Sequence, residues 1–212
     1  MKRVVMILAL AASAASPAAA QWFGMPSWNS PKGGTGITVS GDYGKPNTDA
    51  LSGNAFGARG SIGFGNLTAT VGVASWKPKG ASSSTTSYGV QGAFRAIGGS
   101  LIPVSINLQV GVGRASVSGT DLTNILAGVG VAASIPTPGL SIEPYLSVSS
   151  RWHKISGVPG TESNIGWVIG ANAGFGMFGV HIAYDSEKMD DGSTAGIIGI
   201  GAHVALKVPM GM

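Results

Sequence analysis

Few side chains in this sequence can do chemistry, because only 10% of its 212 residues are charged and cysteine is absent. Three histidines, His153, His181 and His203, stand far apart, with no H-E-x-x-H or other spacing that would bring two onto one metal. Each reads as an imidazole with an ordinary hydrogen bond. Asp185, Glu187, Asp190 and Asp191, followed by Gly192, could hold a calcium ion loosely, but their order is not that of an EF-hand loop, and an acidic turn is the simpler reading. The run from Gly174 to Gly179 spells G-x-G-x-x-G across a turn between two strand patterns, with no helix N-terminus to receive a phosphate. No G-x-S-x-G elbow occurs. The sequence therefore implies no cofactor and no metal. What remains is Asp42, Arg59, Gln91, Arg95, Asn107, Gln109, Glu143, Tyr145, Arg151, Asn172 and Asp185. These are arginines able to pair with carboxylates, with amides and a phenol between them. Their chemistry is that of an enclosed hydrogen-bonded network.

The elements that must position this network are strands. From Ile102 to Trp152, Ile106, Leu108, Val110 and Val112 alternate with Asn107, Gln109, Gly111 and Gly113, then Ile125, Val129 and Val131 with Asn124, Gly128 and Gly130. Leu146, Val148 and Trp152 likewise alternate with Tyr145, Ser147, Ser149 and Arg151. Period-two alternation of this length gives strands with one apolar and one polar face. Ten are expected, near 35–43, 54–64, 67–76, 87–97, 102–115, 122–135, 140–153, 165–175, 178–185 and 194–207, with eight as the alternative count. Short turns are expected at Gly65-Asn66, Gly98 to Leu101, Pro136 to Gly139 and Gly176-Met177. Longer polar loops are expected at 44–53, 77–86, 116–121, 154–164 and 186–193.

The balance of bulk decides which face looks inward. Asp42, Arg59, Arg95, Glu143, Arg151, Asp185 and Lys207 share the polar parity, and Arg114, at a strand end, is the exception. That parity is otherwise Gly, Ala, Ser, Thr, Asn and Gln, too small to fill a dry core. A soluble barrel of this size would need Leu, Ile and Phe inside. Here they form the other face, so the apolar side points outward to lipid, and a sheet in lipid must close on itself. Tyr43, Phe64, Tyr88, Trp152, Trp167, Phe175, Phe178 and Tyr184 lie near strand ends on the outward parity, where interfacial girdles belong.

Residues 1–20 have the form of a secretory signal: Lys2 and Arg3, then an apolar run from Val4 to Ala12, then Ala18-Ala19-Ala20 before Gln21. Residues 21–34, with Trp22, Phe23, Trp28 and two prolines, read as a periplasmic lead-in whose aromatics suit a membrane interface. The barrel is then 35–212. The formal charge of +4 falls to 11 basic minus 9 acidic, +2, without Lys2 and Arg3, which gives no support to a nucleic-acid partner. A mean hydropathy of +0.30 and 35 glycines fit a membrane barrel without disulfides.

Over residues 35–212 the chain resembles the small Gram-negative outer-membrane β-barrel proteins, the OmpX-type barrels and the membrane domain of OmpA. The resemblance implies an outer-membrane location, contact with outer-membrane lipid, and assembly by periplasmic chaperones and the barrel-assembly machinery. Such proteins usually finish on an aromatic residue; this chain keeps the outward spacing at Leu206, Val208, Met210 and Met212 without one. The role this implies is structural or that of a narrow small-ion channel. The inward glycines Gly57, Gly72, Gly89, Gly111, Gly113, Gly128, Gly130, Gly170, Gly199 and Gly201 are read as leaving room for a watery path. The alternatives are a surface-binding barrel acting through its outer loops and a rim-site hydrolase, omptin-like or lipid-cleaving. For the hydrolase, Asp42, Ser149, Arg151, His153 and Asp185 are the residues near the rim, and no family motif places them together.

Overall fold

A computed structural model of the chain describes residues 22–28, 30, 31, 33, 35–47, 53–79, 83–98, 102–117, 119–189 and 192–206. The expected signal at 1–20, the terminal alternation beyond Leu206, Lys207, and Asp190 and Asp191 lie outside these residues. The strands are β1 (Gly36–Pro46), β2 (Gly53–Phe64), β3 (Leu67–Pro78), β4 (Thr85–Ile97), β5 (Val104–Val117), β6 (Thr120–Ala133), β7 (Ile135–Thr137), β8 (Leu140–Ile155), β9 (Glu162–Phe175), β10 (Phe178–Lys188) and β11 (Thr194–Leu206). The short β7 only prolongs β6 against β8. The other ten run antiparallel to their neighbours in chain order, and β1 pairs with β11 from Ile37↔Leu206 to Pro46↔Ile197. With β6 also paired to β8, the sheet is a closed ten-stranded up-and-down barrel without an exposed edge.

The alternation fixes the inside and the outside. Val129 and Val148 are 48% and 49% exposed, whereas Asn107 and Gln109 are 1% and 4% exposed. Ile62, Val71, Val90, Val110, Ile169, Val180 and Ile200 continue the exposed apolar coat around the wall. Water would not tolerate such a continuous coat on a monomer; hydrocarbon does. Aromatics ring both ends. Tyr43, Phe56, Tyr88, Trp167 and Tyr184 stand toward the ends joined by longer loops, and Phe64, Phe94, Phe175 and Phe178 toward the other.

The two ends differ less cleanly than the sequence suggests. Three connections at one end are two residues long (65–66, 138–139, 176–177), each with a glycine at positive φ: Gly65 at 59°, Gly139 at 78°, Gly176 at 60°. Such φ values match the twist of a tight hairpin. The fourth connection, 98–103, is longer than expected because β5 begins only at Val104. At the loop end, the connection expected over 116–121 shrinks to 118–119, because β5 and β6 stay paired out to Val117↔Thr120.

The largest difference from the sequence reading lies in the described part of the expected lead-in, above all residues 22–28, which do not stand outside the barrel. Trp22, Phe23, Met25 and Trp28 are buried within the barrel, at 1–4% exposure, and pack against inward side chains. These rings and the thioether gain more from the enclosed lumen than from an interface, because inward Ala55, Ala74, Trp76, Leu122, Leu126, Val168 and Ile197 give them apolar surface to meet.

Candidate functional site

The lumen is the site, and the segment inside it runs the full height of the wall. Its upper end is a turn closed by the Met25 N–H on the Trp22 carbonyl at 3.1 Å. There the Phe23 N–H donates to Ser87 Oγ at 3.0 Å, and Phe23 packs on Ala115 and Leu122 beside Val117 and Ile155. Trp22 and Met25 pack with Trp76, Met189, Ala195 and Ile197. The wall residues among these belong to loop-end strand segments, and Met189 directly follows β10. Lower down, the Ser27 N–H donates to Asp185 Oδ2 at 2.7 Å. Near the turn end, Ser30 Oγ donates to Glu143 Oε1 at 2.8 Å. Burying each of Trp22, Phe23, Met25 and Trp28 contributes about 1.5–3 kcal/mol.

The inward glycines explain how a barrel of ten strands can accept this chain. A Cβ built at Gly72 would lie 2.9 Å from the Trp22 indole, at Gly57 3.1 Å from Met25 Cε, and at Gly199 2.6 Å from Pro26 Cγ. At Gly44 it would meet the Gly24 carbonyl. Other glycines make way for wall side chains: Gly170 for Tyr145, Gly201 for Asp42 and His181, Gly128 for Ser149. At these positions the room read as a watery path is filled by side chains and by the N-terminal segment.

Two polar clusters flank the segment. In the loop-end half, Arg151 is enclosed by Asp185 (Nη2 to Oδ1, 2.8 Å) and Glu187 (Nη1 to Oε2, 3.2 Å), with all three side chains at most 1% exposed. The Asp185 contact is a close approach of charges without hydrogen-bond alignment, since neither of its two atoms has a hydrogen-bond partner. Arg151 Nε donates to Ser149 Oγ at 3.2 Å. His153 Nε2 lies 2.5 Å from Glu187 Oε1 and its Nδ1 2.9 Å from Asn124 Oδ1, while Asn164 Nδ2 donates to Glu187 at 2.9 Å. The structure thus brings together Ser149, Arg151, His153 and Asp185 from the rim set, and seals them from solvent. Asp42 sits in the other cluster.

Arg59 grips Asp42 there with two bonds, Nε to Oδ2 at 2.6 Å and Nη2 to Oδ1 at 3.0 Å. His181 Nε2 approaches Asp42 Oδ1 at 2.7 Å and its Nδ1 faces His203 Nδ1 at 3.3 Å. The Trp28 indole caps this group, edge-on to His181 at 4.6 Å and 5.2 Å from the Arg59 guanidinium carbon. Below it, a cavity of about 490 Å³ is lined by Arg59, Gln91, Glu143, Tyr145, Asn172 and His203 among others. Asn172 Nδ2 donates to Glu143 at 3.1 Å and Gln91 Nε2 to Gln109 Oε1 at 3.1 Å; Asn107 is buried beside them. Arg95, on the same parity, reaches the tight turn, donating to Asn66 Oδ1 at 2.8 Å and to the Gly65 carbonyl at 3.2 Å. The sequence reading does not include Glu187 and His181 in the network; the parity they share with Asp185 on β10 was the available signal. No group of three or more metal-ligating side chains forms among the described residues.

No protein-family model matches this sequence, and no curated protein matches it. Solved structures do. The β domain of the Bordetella autotransporter Brka superposes with a TM-score of 0.57 at 11% identity, over 81% of this chain and 99% of that one. Neisserial surface protein A gives 0.37 at 12% identity over 80% and 96%, and the N-terminal β-barrel domain of Pseudomonas aeruginosa OprF 0.37 at 11% over 82% and 99%. The first likeness shows the fold of outer-membrane barrels. The other two add no weight, and shared fold at such identity carries no activity with it.

Proposed function

We propose that this chain is an integral outer-membrane barrel that keeps its own N-terminal segment in the lumen as a fixed plug. Its role is structural, and a small-ion path exists only when the plug is absent. Supporting this are the apolar coat and the longer loops gathered at one end, which faces outward in barrels of this kind. The observation that carries the reading is the burial of Trp22 to Trp28 inside the wall, in space that the glycines leave. In this reading residues 1–20 act as the secretory signal, and periplasmic chaperones and the barrel-assembly machinery deliver the chain.

Planar-bilayer recording tests it. The whole protein is expected to give no resolvable conductance. Deletion of residues 22–31 is expected to produce a small-ion conductance well below that of general porins, which have about sixteen to eighteen strands. Sustained conductance of the intact protein, unchanged by the deletion, would overturn the proposal.

A further inference from the structure

The described lysines are placed one-sidedly. Lys45, Lys77, Lys79, Lys154 and Lys188 all stand at or beyond the loop ends of their strands, and all are exposed. None forms an ion pair with a described carboxylate. Of the described carboxylates outside the lumen at that end, Asp121 is engaged by Arg114 at 2.5 Å, and Glu162 stands on β9, separated from β1 by two strands. Lys45 and Lys77 share the outward parity of Tyr43 and Val73, so they project from the outer surface of the wall just beyond the apolar coat.

Register brings these two together with a polar partner and an aromatic floor. Lys77 lies opposite Asn54, and Gly44 lies opposite Ala55, which sets Lys45 level with Asn54. Lys45, Asn54 and Lys77 therefore stand side by side on β1, β2 and β3, with the lysines about 10 Å apart at the backbone. Long flexible stems let both ammonium groups reach one anion between them. One step toward the coat, Tyr43 packs on Phe56 at 5.2 Å, and Phe56 is 64% exposed. The Tyr43 hydroxyl donates to Asn54 Oδ1 at 2.8 Å, which orients that amide with its NH2 left to donate.

We propose that the outward patch of Lys45, Asn54 and Lys77 above Tyr43 and Phe56 binds the phosphate-bearing headgroup of an outer-leaflet lipid. The two ammonium groups and the amide take the phosphate, and the exposed ring of Phe56 packs against the first carbons of the acyl chains. Its height selects a lipid over a soluble anion, because the patch lies at the border of the coat, where a headgroup is held by its own chains.

The folded full-length protein in detergent, exchanged against lipid A or its dephosphorylated form and examined by native mass spectrometry, tests this. Lipid A is expected to be retained through detergent exchange and to resist competition by inorganic phosphate. The double variant Lys45→Gln, Lys77→Gln is expected to retain it at least about tenfold less. Phe56→Ala should lose less, and Lys154→Gln should match the parent. Heat-modifiable gel migration shows that each variant is folded. Equal retention by the double variant, or equal retention of the dephosphorylated lipid, would overturn the proposal; displacement by inorganic phosphate would also overturn it, by showing a site for free anions.

Discussion

In the loop-end half of the lumen, Arg151 is locked between two carboxylates, all three side chains at most 1% exposed, and Trp22, Phe23 and Met25 are buried in the same half. In the turn-end half, Arg59 holds Asp42 with two aligned hydrogen bonds, yet its side chain is 13% exposed and it borders a cavity of about 490 Å³. The same pair of residue types is used twice, once dry and once beside room for water. What separates the halves is the N-terminal segment. It packs fully against inward Ala, Leu, Ile and Trp side chains above Ser27, then thins to Ser30 and Gly33 where the inward set turns to Ser, Thr, Gln and Asn. The difference teaches that plugging comes from matched volumes, and that the polar network alone does not close the barrel.

Removing residues 22–31 would erase the distinction, and so carries the largest expected effect: both halves become wet, conductance appears, and the loop-end half loses Trp22, Phe23 and Met25 along with the Ser27 N–H bond to Asp185. Next in size is Arg151→Ala, which leaves Asp185 and Glu187 buried without their cation. A loss of about 3–5 kcal/mol is expected in urea unfolding followed in lipid. Gly199→Val sharpens the comparison from the other side, since its new methyls meet Pro26 and Trp28 of the plug. It should lower stability by about 1–3 kcal/mol and raise intermittent conductance. A smaller loss than at Arg151 belongs to the half with the cavity: Arg59→Ala should cost about 1.5–3 kcal/mol, because it removes two charge-assisted hydrogen bonds from buried Asp42 while His181 remains beside the carboxylate. If Arg59→Ala proved as damaging as Arg151→Ala, the two halves would not differ as described.

Much of the wall was legible in the sequence, because a period of two over fourteen residues leaves no other reading for Val104 to Val117. The closed barrel, its strand count and the inward placement of Asp42, Arg59, Glu143, Arg151 and Asp185 follow from that one periodicity. The plug was not legible for a physical reason. Trp22 to Trp28 has no periodicity of its own, and its partners lie on nearly every strand, as the Ser27 bond to Asp185, 158 residues away, illustrates. The clue was negative space: inward Gly57, Gly72 and Gly199, with Leu122, Leu126 and Ile197 breaking the otherwise small and polar parity. Read together these describe an apolar mould. Read one strand at a time they look like vacant room.

The most direct test of the plug uses the absence of cysteine. Single thiols placed by Ser27→Cys, at a buried position, and Ser30→Cys, at an exposed one, are offered a membrane-impermeant maleimide in folded protein in lipid vesicles permeabilised to the reagent. The plugged barrel predicts rapid labelling at Cys-substituted position 30 and protection at position 27 until the protein is unfolded. Equal, rapid labelling at both positions in the folded state would contradict it.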